Sequence, residues 1–252
     1  MVDATQDPAS APGAPPGVPS GDVRPYPGAL IVVEGIDGSG KSTQLYLLKR
    51  WLEIGGYRVY FTEWNSSQLV RSTTKRGKQQ KTLTPTTFSL LHSADFADRA
   101  DRQILPLLYS GNIVLADRYI YTLIARGVVR GLARDYLYGI YLMGLRPDLT
   151  FWLNISPKVA FEREFKKTKA ISYWEAGLDL SMNSNLYESF LHYQQKLRAE
   201  FQDLSQRHRF IEINGENSVA AVNRDLRQRI AAHLGIKLSR YAPAGALSHL
   251  GR

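Results

Sequence analysis

An apolar run, Ala29-Leu30-Ile31-Val32-Val33, passes through Glu34 into Gly35-Ile36-Asp37-Gly38-Ser39-Gly40-Lys41-Ser42 and then Thr43-Gln44-Leu45-Tyr46-Leu47-Leu48. The run is short and β-branched, as a buried parallel strand is, and the text after the glycines takes up a helical pattern. Strand, glycine turn and helix start therefore come in the order that G-x-x-x-x-G-K-[ST] needs to act as a phosphate cradle. The glycines let consecutive backbone N–H groups point into one concavity, the helix N-terminus adds partial positive charge, and Lys41 reaches the outer phosphates. Ser42 is the expected Mg²⁺ ligand. Gly35, Ile36, Asp37, Gly38, Ser39, Gly40, Lys41, Ser42 and Thr43 thus form the expected donor-phosphate site, with ATP and Mg²⁺ as the implied cofactors.

The 252-residue chain can bury a substantial core, and an α/β fold of this length is commonly one domain with tails. It has no cysteine, which excludes disulfides, thiolate zinc sites and cysteine nucleophiles. No window reaches the length of a membrane span and no basic stretch precedes an apolar core at the N-terminus, so a cytoplasmic location without membrane association is expected. The formal charge of +9 calls for an anionic partner. Nucleotide phosphates satisfy it, and without a stripe of interleaved aromatic and basic residues no nucleic-acid partner is expected.

Residues 1–28 are crowded with Pro, Ala, Gly and Ser and should be disordered. From Ala29 to about 235, strand-like and helix-like runs alternate, which argues for a doubly wound parallel sheet in one domain, with a tail over 236–252. Strands are expected at Val59-Tyr60-Phe61-Thr62, Ile113-Val114-Leu115-Ala116, Leu149 to Ile155 and Phe210 to Ile213. A polar, basic stretch runs from Asn65 to Lys81. Thr84-Pro85 then starts a long helix to about Leu108, and further helices are expected from about Tyr119, from Asp135 to Leu145, from Ser156-Pro157 to Thr168, from Ser184 to Arg207 and from Val219 to Leu234.

Phosphoryl transfer also requires metal support, cations on the transferred group and an acceptor held in line. Asp117-Arg118-Tyr119 follows the third strand, at a carboxyl edge beside the glycine loop, where open α/β sheets bind ligands. Asp117 can support Mg²⁺ and Arg118 can hold a phosphate.

The run from Glu34 to Gln44, Asp117-Arg118-Tyr119, and Arg146-Pro147-Asp148-Leu149-Thr150 through Ala160-Phe161-Glu162-Arg163 together resemble the thymidylate kinases in order and spacing. The resemblance implies a P-loop kinase architecture with five parallel strands, helices on both faces and a lid segment. It implies transfer from ATP to a deoxynucleoside monophosphate, foremost thymidylate, and leaves a homodimer open. Because Gly38 stands where some members carry an arginine, the lid must supply cations; Arg163, Lys166, Lys167 and Lys169 lie there. The resemblance gives Asp37, Lys41, Arg118, Arg163 and Lys167 catalytic roles.

The acceptor side departs from the family pattern. Glu63-Trp64-Asn65-Ser66-Ser67 replaces Glu-Pro-Gly-Gly-Thr, while Arg71 follows at a suitable distance. The usual substrate arginine aligns near Phe96, with Arg99 one helical turn on, and Thr122 and Arg126 replace a serine and an aromatic. Glu63, Arg71, Arg99, Arg118, Tyr119, Thr122 and Arg126 are the acceptor-side candidates. The departures keep two other readings open: a deoxyribonucleoside kinase with Glu63 as general base, suggested by Glu63-Trp64, and a nucleotide-binding regulatory protein without turnover.

Overall fold

All six residues of β1 (Ala29–Glu34) are buried, which a strand achieves when helices cover both faces of a parallel sheet. The computed structural model describes residues 26–142, 144–180 and 185–236. After β1 come α1 (Lys41–Ile54), β2 (Val59–Glu63), α2 (Arg71–Gln80), α3 (Pro85–Arg99), a π turn at Ala100–Ile104, and α4 (Leu105–Tyr109). There follow β3 (Ile113–Asp117), α5 (Ile120–Val129), α6 (Arg134–Ile140), β4 (Leu149–Asn154), α7 (Pro157–Thr168), a 3-10 turn at Leu178–Leu180, α8 (Leu186–His208), β5 (Ile211–Asn214) and α9 (Val219–Leu234). The five strands pair in the order β2-β3-β1-β4-β5, all in parallel. The expected doubly wound sheet is therefore present.

The register decides where chemistry can gather. Asp117 pairs with both Val33 and Glu63, and Glu34 pairs with Trp152, so the acidic strand ends lie level along one carboxyl edge. One face of the sheet packs Phe96, Ile104, Tyr119, Ile124, Phe190 and Phe201 under α3, α5 and α8. The other packs Leu45, Leu48, Leu52, Leu226 and Ile230 under α1 and α9. Each such side chain contributes about 1.5–3 kcal/mol by leaving water. Both cores clamp the glycine loop from either side of β1.

Three elements depart from expectation. The helix starting at Thr84, whose hydroxyl accepts the Thr87 N–H, does not run unbroken to Leu108. Pro106 has no N–H to donate to the preceding turn, and a π turn takes up the mismatch before α4. The stretch from Asn65 to Lys81 holds a helix, α2, which has no apolar stripe because its buried face is only Thr74 and Gly77. A Cβ on Gly77 would meet the Leu83 side chain at 2.5 Å, so its hydrogen atom sets the close approach. The expected helix from Asp135 to Leu145 ends at Ile140.

The predicted disordered tail of residues 1–28 lies outside the described residues except for Tyr26 to Gly28. These three are packed, with Tyr26 buried edge-on to Tyr109 and the Gly28 N–H donating to the Leu108 carbonyl, so that end of the prediction is corrected. The tail expected over 236–252 lies outside except for Ile236, which packs beside the α1–α9 core. Among the described residues no helix is long and apolar enough to cross a membrane.

Candidate active site

The turn between β1 and α1 is built on glycines in backbone conformations that only glycine adopts freely. Gly38 has φ +75° and Gly40 φ +91°, conformations that a side chain disfavours. No side chain caps α1, so its first N–H groups face the cleft unclaimed by a protein acceptor, the arrangement an anion requires. Lys41 folds back into this concavity, its ammonium donating to the Ile36 carbonyl at 2.7 Å and the Ser39 hydroxyl at 3.2 Å. Burial first, and then the Arg118 charge, pull Lys41 down to about 8, against Asp117, Asp37 and Glu34. An arriving phosphate reverses that cost.

A cleft of about 710 Å³ opens over the loop. Asp37 to Gln44, Glu63, Trp64, Asp117, Arg118, Arg163, Lys167 and the turn from Gly215 to Val219 are among its walls. The Ser42 hydroxyl donates to Asp117 Oδ2 at 2.6 Å, joining the start of α1 to the end of β3. These two oxygens suit a hard divalent cation such as Mg²⁺, which prefers a few carboxylate and hydroxyl ligands and keeps its remaining water.

Asp37 is the hub of a buried cationic cluster beside the loop. Its carboxylate accepts from Arg118 Nη2, from Arg126 Nη2 at 2.7 Å and from Gln194 Nε2 at 3.0 Å. Burial alone would raise its pKa; Arg126, Arg118 and Lys41 outweigh burial and hold it well below the usual carboxylate range. Two buried guanidinium groups thus stand at the edge of the phosphate loop, held in place by one anion. Arg118 has φ +67°, and Glu34 anchors the chain just after that strain. The Glu34 carboxylate accepts from the Tyr119 and Thr122 N–H groups and, at 2.5 Å, from the Thr122 hydroxyl, so β1 caps α5. Burial pushes Glu34 up to about 7 despite those bonds and the Arg118 charge.

The remaining candidates divide. Arg163 and Lys167 project from α7 into the cleft wall, Arg163 donating to the Gly215 carbonyl at 2.8 Å. Lys166 and Lys169 do not line the cleft. The lid segment after Lys169 is described as far as Leu180, and the residues 181–184 lie outside the description. Gly38 lies under α7, where a Cβ would come within 2.5 Å of the Ala160 carbonyl oxygen.

Four acceptor-side candidates are corrected in place. Tyr119 does not face the cleft; its ring is buried against Phe96 and its hydroxyl donates to the Leu145 carbonyl at 3.0 Å. Thr122 is fully buried and serves Glu34. Arg99 is buried on α3, paired with Asp95 at 3.0 Å and bonded to Thr62. Arg71 is exposed at the start of α2, away from the cleft lining. Arg126 is buried on α5 and, like Arg71, is not among the cleft's lining residues; its guanidinium bonds Asp37 instead.

Some residues here escaped the sequence reading. Gln194 of α8 binds the Asp37 main chain at 3.2 Å as well as its carboxylate, and a lone glutamine in a long helix gives no signal of that. Glu34 was visible as the end of β1, but its role depends on α5 lying beside it. Trp64 stacks on His92 with centroids 4.5 Å apart and planes 11° apart, and Lys78 approaches its ring at 4.8 Å. That cluster joins three segments distant in sequence.

A parallel sheet with a glycine loop on its central strand, a Ser–Asp pair for a metal and paired arginines beside it define a P-loop nucleotide kinase. The chain belongs to the thymidylate kinase family, whose family model matches residues 33–226. It is 41% identical to the probable thymidylate kinase 2 of Saccharolobus solfataricus over 208 residues, covering 82% of this chain and 97% of that protein. The probable thymidylate kinases of Pyrococcus abyssi and Thermococcus gammatolerans are 31% and 29% identical, each covering 79% of this chain and 94% of the relative.

Proposed function

We propose that this protein transfers the terminal phosphoryl group of ATP to thymidylate, forming its diphosphate. The observation that carries the reading is the buried Arg118–Asp37–Arg126 cluster at the edge of the phosphate loop. Two guanidinium groups are more cationic recognition than a neutral hydroxyl requires, and they match a dianionic phosphate through paired N–H donors. As that phosphate enters, Arg118 and Arg126 exchange part of their contact with Asp37 for its oxygens. No general base is needed, because a phosphate monoester is already largely ionised near neutral pH. Lys41 and the α1 N–H groups hold the donor phosphates, while Arg163 and Lys167 add positive charge from α7.

Ser42 and Asp117 would hold Mg²⁺, which neutralises charge on the donor phosphates. The same family resemblance supports a cytoplasmic enzyme and a homodimer, to be checked by fractionation and light scattering.

A transfer assay with ATP and Mg²⁺ across deoxynucleoside monophosphates, thymidine and deoxycytidine tests the reading. Thymidylate should be the best acceptor, and Arg118→Met and Arg126→Met should each raise its KM more than that of ATP. Phosphorylation of nucleosides alone, abolished by Glu63→Gln, would instead establish a nucleoside kinase, since Glu63 lies at the cleft opposite Asp117. Tight nucleotide binding with no acceptor turned over would establish a regulatory protein.

A further inference from the structure

Resting on that reading, we propose that Asn223 is a positioning residue for the donor nucleotide: through Gln44 it locks the turn between β5 and α9 onto the first turn of α1, and so sets where that wall of the cleft stands relative to the phosphate loop. Gln44 follows Lys41, Ser42 and Thr43 on α1 and is only 3% exposed. Gln44 Nε2 donates to the Val219 carbonyl at 3.1 Å, and Gln44 Oε1 accepts from Asn223 Nδ2 at 3.0 Å. Val219 and Asn223 are about one helical turn apart at the start of α9. One glutamine therefore grips both ends of that turn.

The grip has one orientation. A main-chain carbonyl only accepts, so Val219 fixes which end of the Gln44 amide carries the N–H groups, and the oxygen is left to face Asn223. Asn223 is the only polar residue that α9 buries; Val222, Leu226, Ile230 and Ala231 are the others. Apolar burial is non-directional, whereas the amide pair is satisfied only at one rotation and depth of α9 against α1.

The turn from Gly215 to Val219, with Val222, forms the cleft wall that this contact ties to α1. The other end of the turn is held separately: Arg163 Nη1 donates to the Gly215 carbonyl at 2.8 Å, and the Glu216 carboxylate accepts the Ser156 N–H at 2.7 Å. Gln44 and Asn223 thus control the α9 end. ATP is longer than the loop that holds its phosphates, so its sugar and base run into the cleft beyond the loop. A wall that swings outward at α9 loosens that nucleoside end while the loop keeps its hold on the phosphates. Inorganic tripolyphosphate fills the loop without reaching the wall.

The test is calorimetric binding of ATP and of inorganic tripolyphosphate to the full chain, with thermal melts, for wild type, Asn223→Leu and the double variant Gln44→Leu/Asn223→Leu. Asn223→Leu should weaken ATP roughly three- to tenfold and leave tripolyphosphate within about twofold, and its Tm should fall because Gln44 Oε1 loses its partner in a buried place. The double variant removes both partners, so its Tm should recover most of that loss while ATP stays weakened. Unchanged ATP binding in Asn223→Leu, or equal weakening of ATP and tripolyphosphate, overturns the assignment. So does a double variant that regains ATP affinity together with its Tm, which would leave the amide pair a purely structural role. Because binding needs no turnover, a wild type and variants that bind as expected, in a protein that phosphorylates no monophosphate, would refute the proposed reaction and leave this assignment standing.

Discussion

The Ser42 hydroxyl, at the first turn of α1, donates to Asp117 Oδ2 at the end of β3 over 2.6 Å, although the two residues are 75 positions apart in the chain. That bond joins the phosphate loop to the neighbouring strand and leaves two oxygens facing the cleft. Asp117→Asn should lower the apparent Mg²⁺ affinity of the ATP complex roughly ten- to a hundredfold, and should leave metal-free ATP binding within about twofold. Magnesium titrations of nucleotide binding and of turnover check this. An unchanged magnesium dependence would remove Asp117 from the metal site.

Lys41 gives nucleotide binding a proton linkage. Its pKa of about 8 lies below its ordinary 10.5, and bound phosphates favour the charged form. Between pH 8 and roughly 10 the complex therefore holds more protons than the free protein. ATP binding should take up protons there, and its affinity should fall as pH rises through this window. Calorimetry in buffers of different ionisation enthalpy measures the uptake, and Lys41→Met should abolish it along with nearly all transfer.

Glu34 imposes a stability slope of known sign. Its folded pKa of about 7 lies above the unfolded 4.5, so between these values the native state binds more protons than the unfolded one. Stability should fall as pH rises from 4.5 through 7, by up to roughly 3 kcal/mol from this group. Urea midpoints measured from pH 5 to 8.5 should show a shallower slope in Glu34→Gln than in wild type. Parallel slopes would contradict the placement.

Gly38 and Gly40 separate two reasons for glycine. Both have positive φ, but a Cβ on Gly38 would meet the Ala160 carbonyl oxygen at 2.5 Å, whereas one on Gly40 meets nothing within 4 Å. Gly40→Ala should lose about 1 kcal/mol from backbone strain alone. Gly38→Ala should lose more, about 1–3 kcal/mol, because α7 must also move. Thermal melts of the two variants should rank in that order, and equal losses would mean that α7 yields without cost.

Elements with local signals were legible residue by residue. The Thr84-Pro85 start of α3 and the Val219–Leu234 span of α9 follow from short-range rules, a cap hydroxyl and an apolar period. Helix α2 was not legible, because its buried face consists of one threonine and one glycine, and the contact that holds it comes from Leu83. Tyr119 was misjudged for a related reason: it stands next to Arg118, but the positive φ at Arg118 turns the chain and sends the ring into the core.

The sequence by itself determined the phosphate loop, because such a loop is local: eight consecutive residues from the end of a strand into the start of a helix contain its glycines, its lysine and its serine. Only the tertiary structure decided which side chains gather beside that loop. Asp37 meets Arg126 and Gln194 across 89 and 157 positions, and Trp64 meets His92 and Lys78 from three separate segments. Such convergence depends on strand order and helix packing, and neither leaves a periodic trace at the residues brought together.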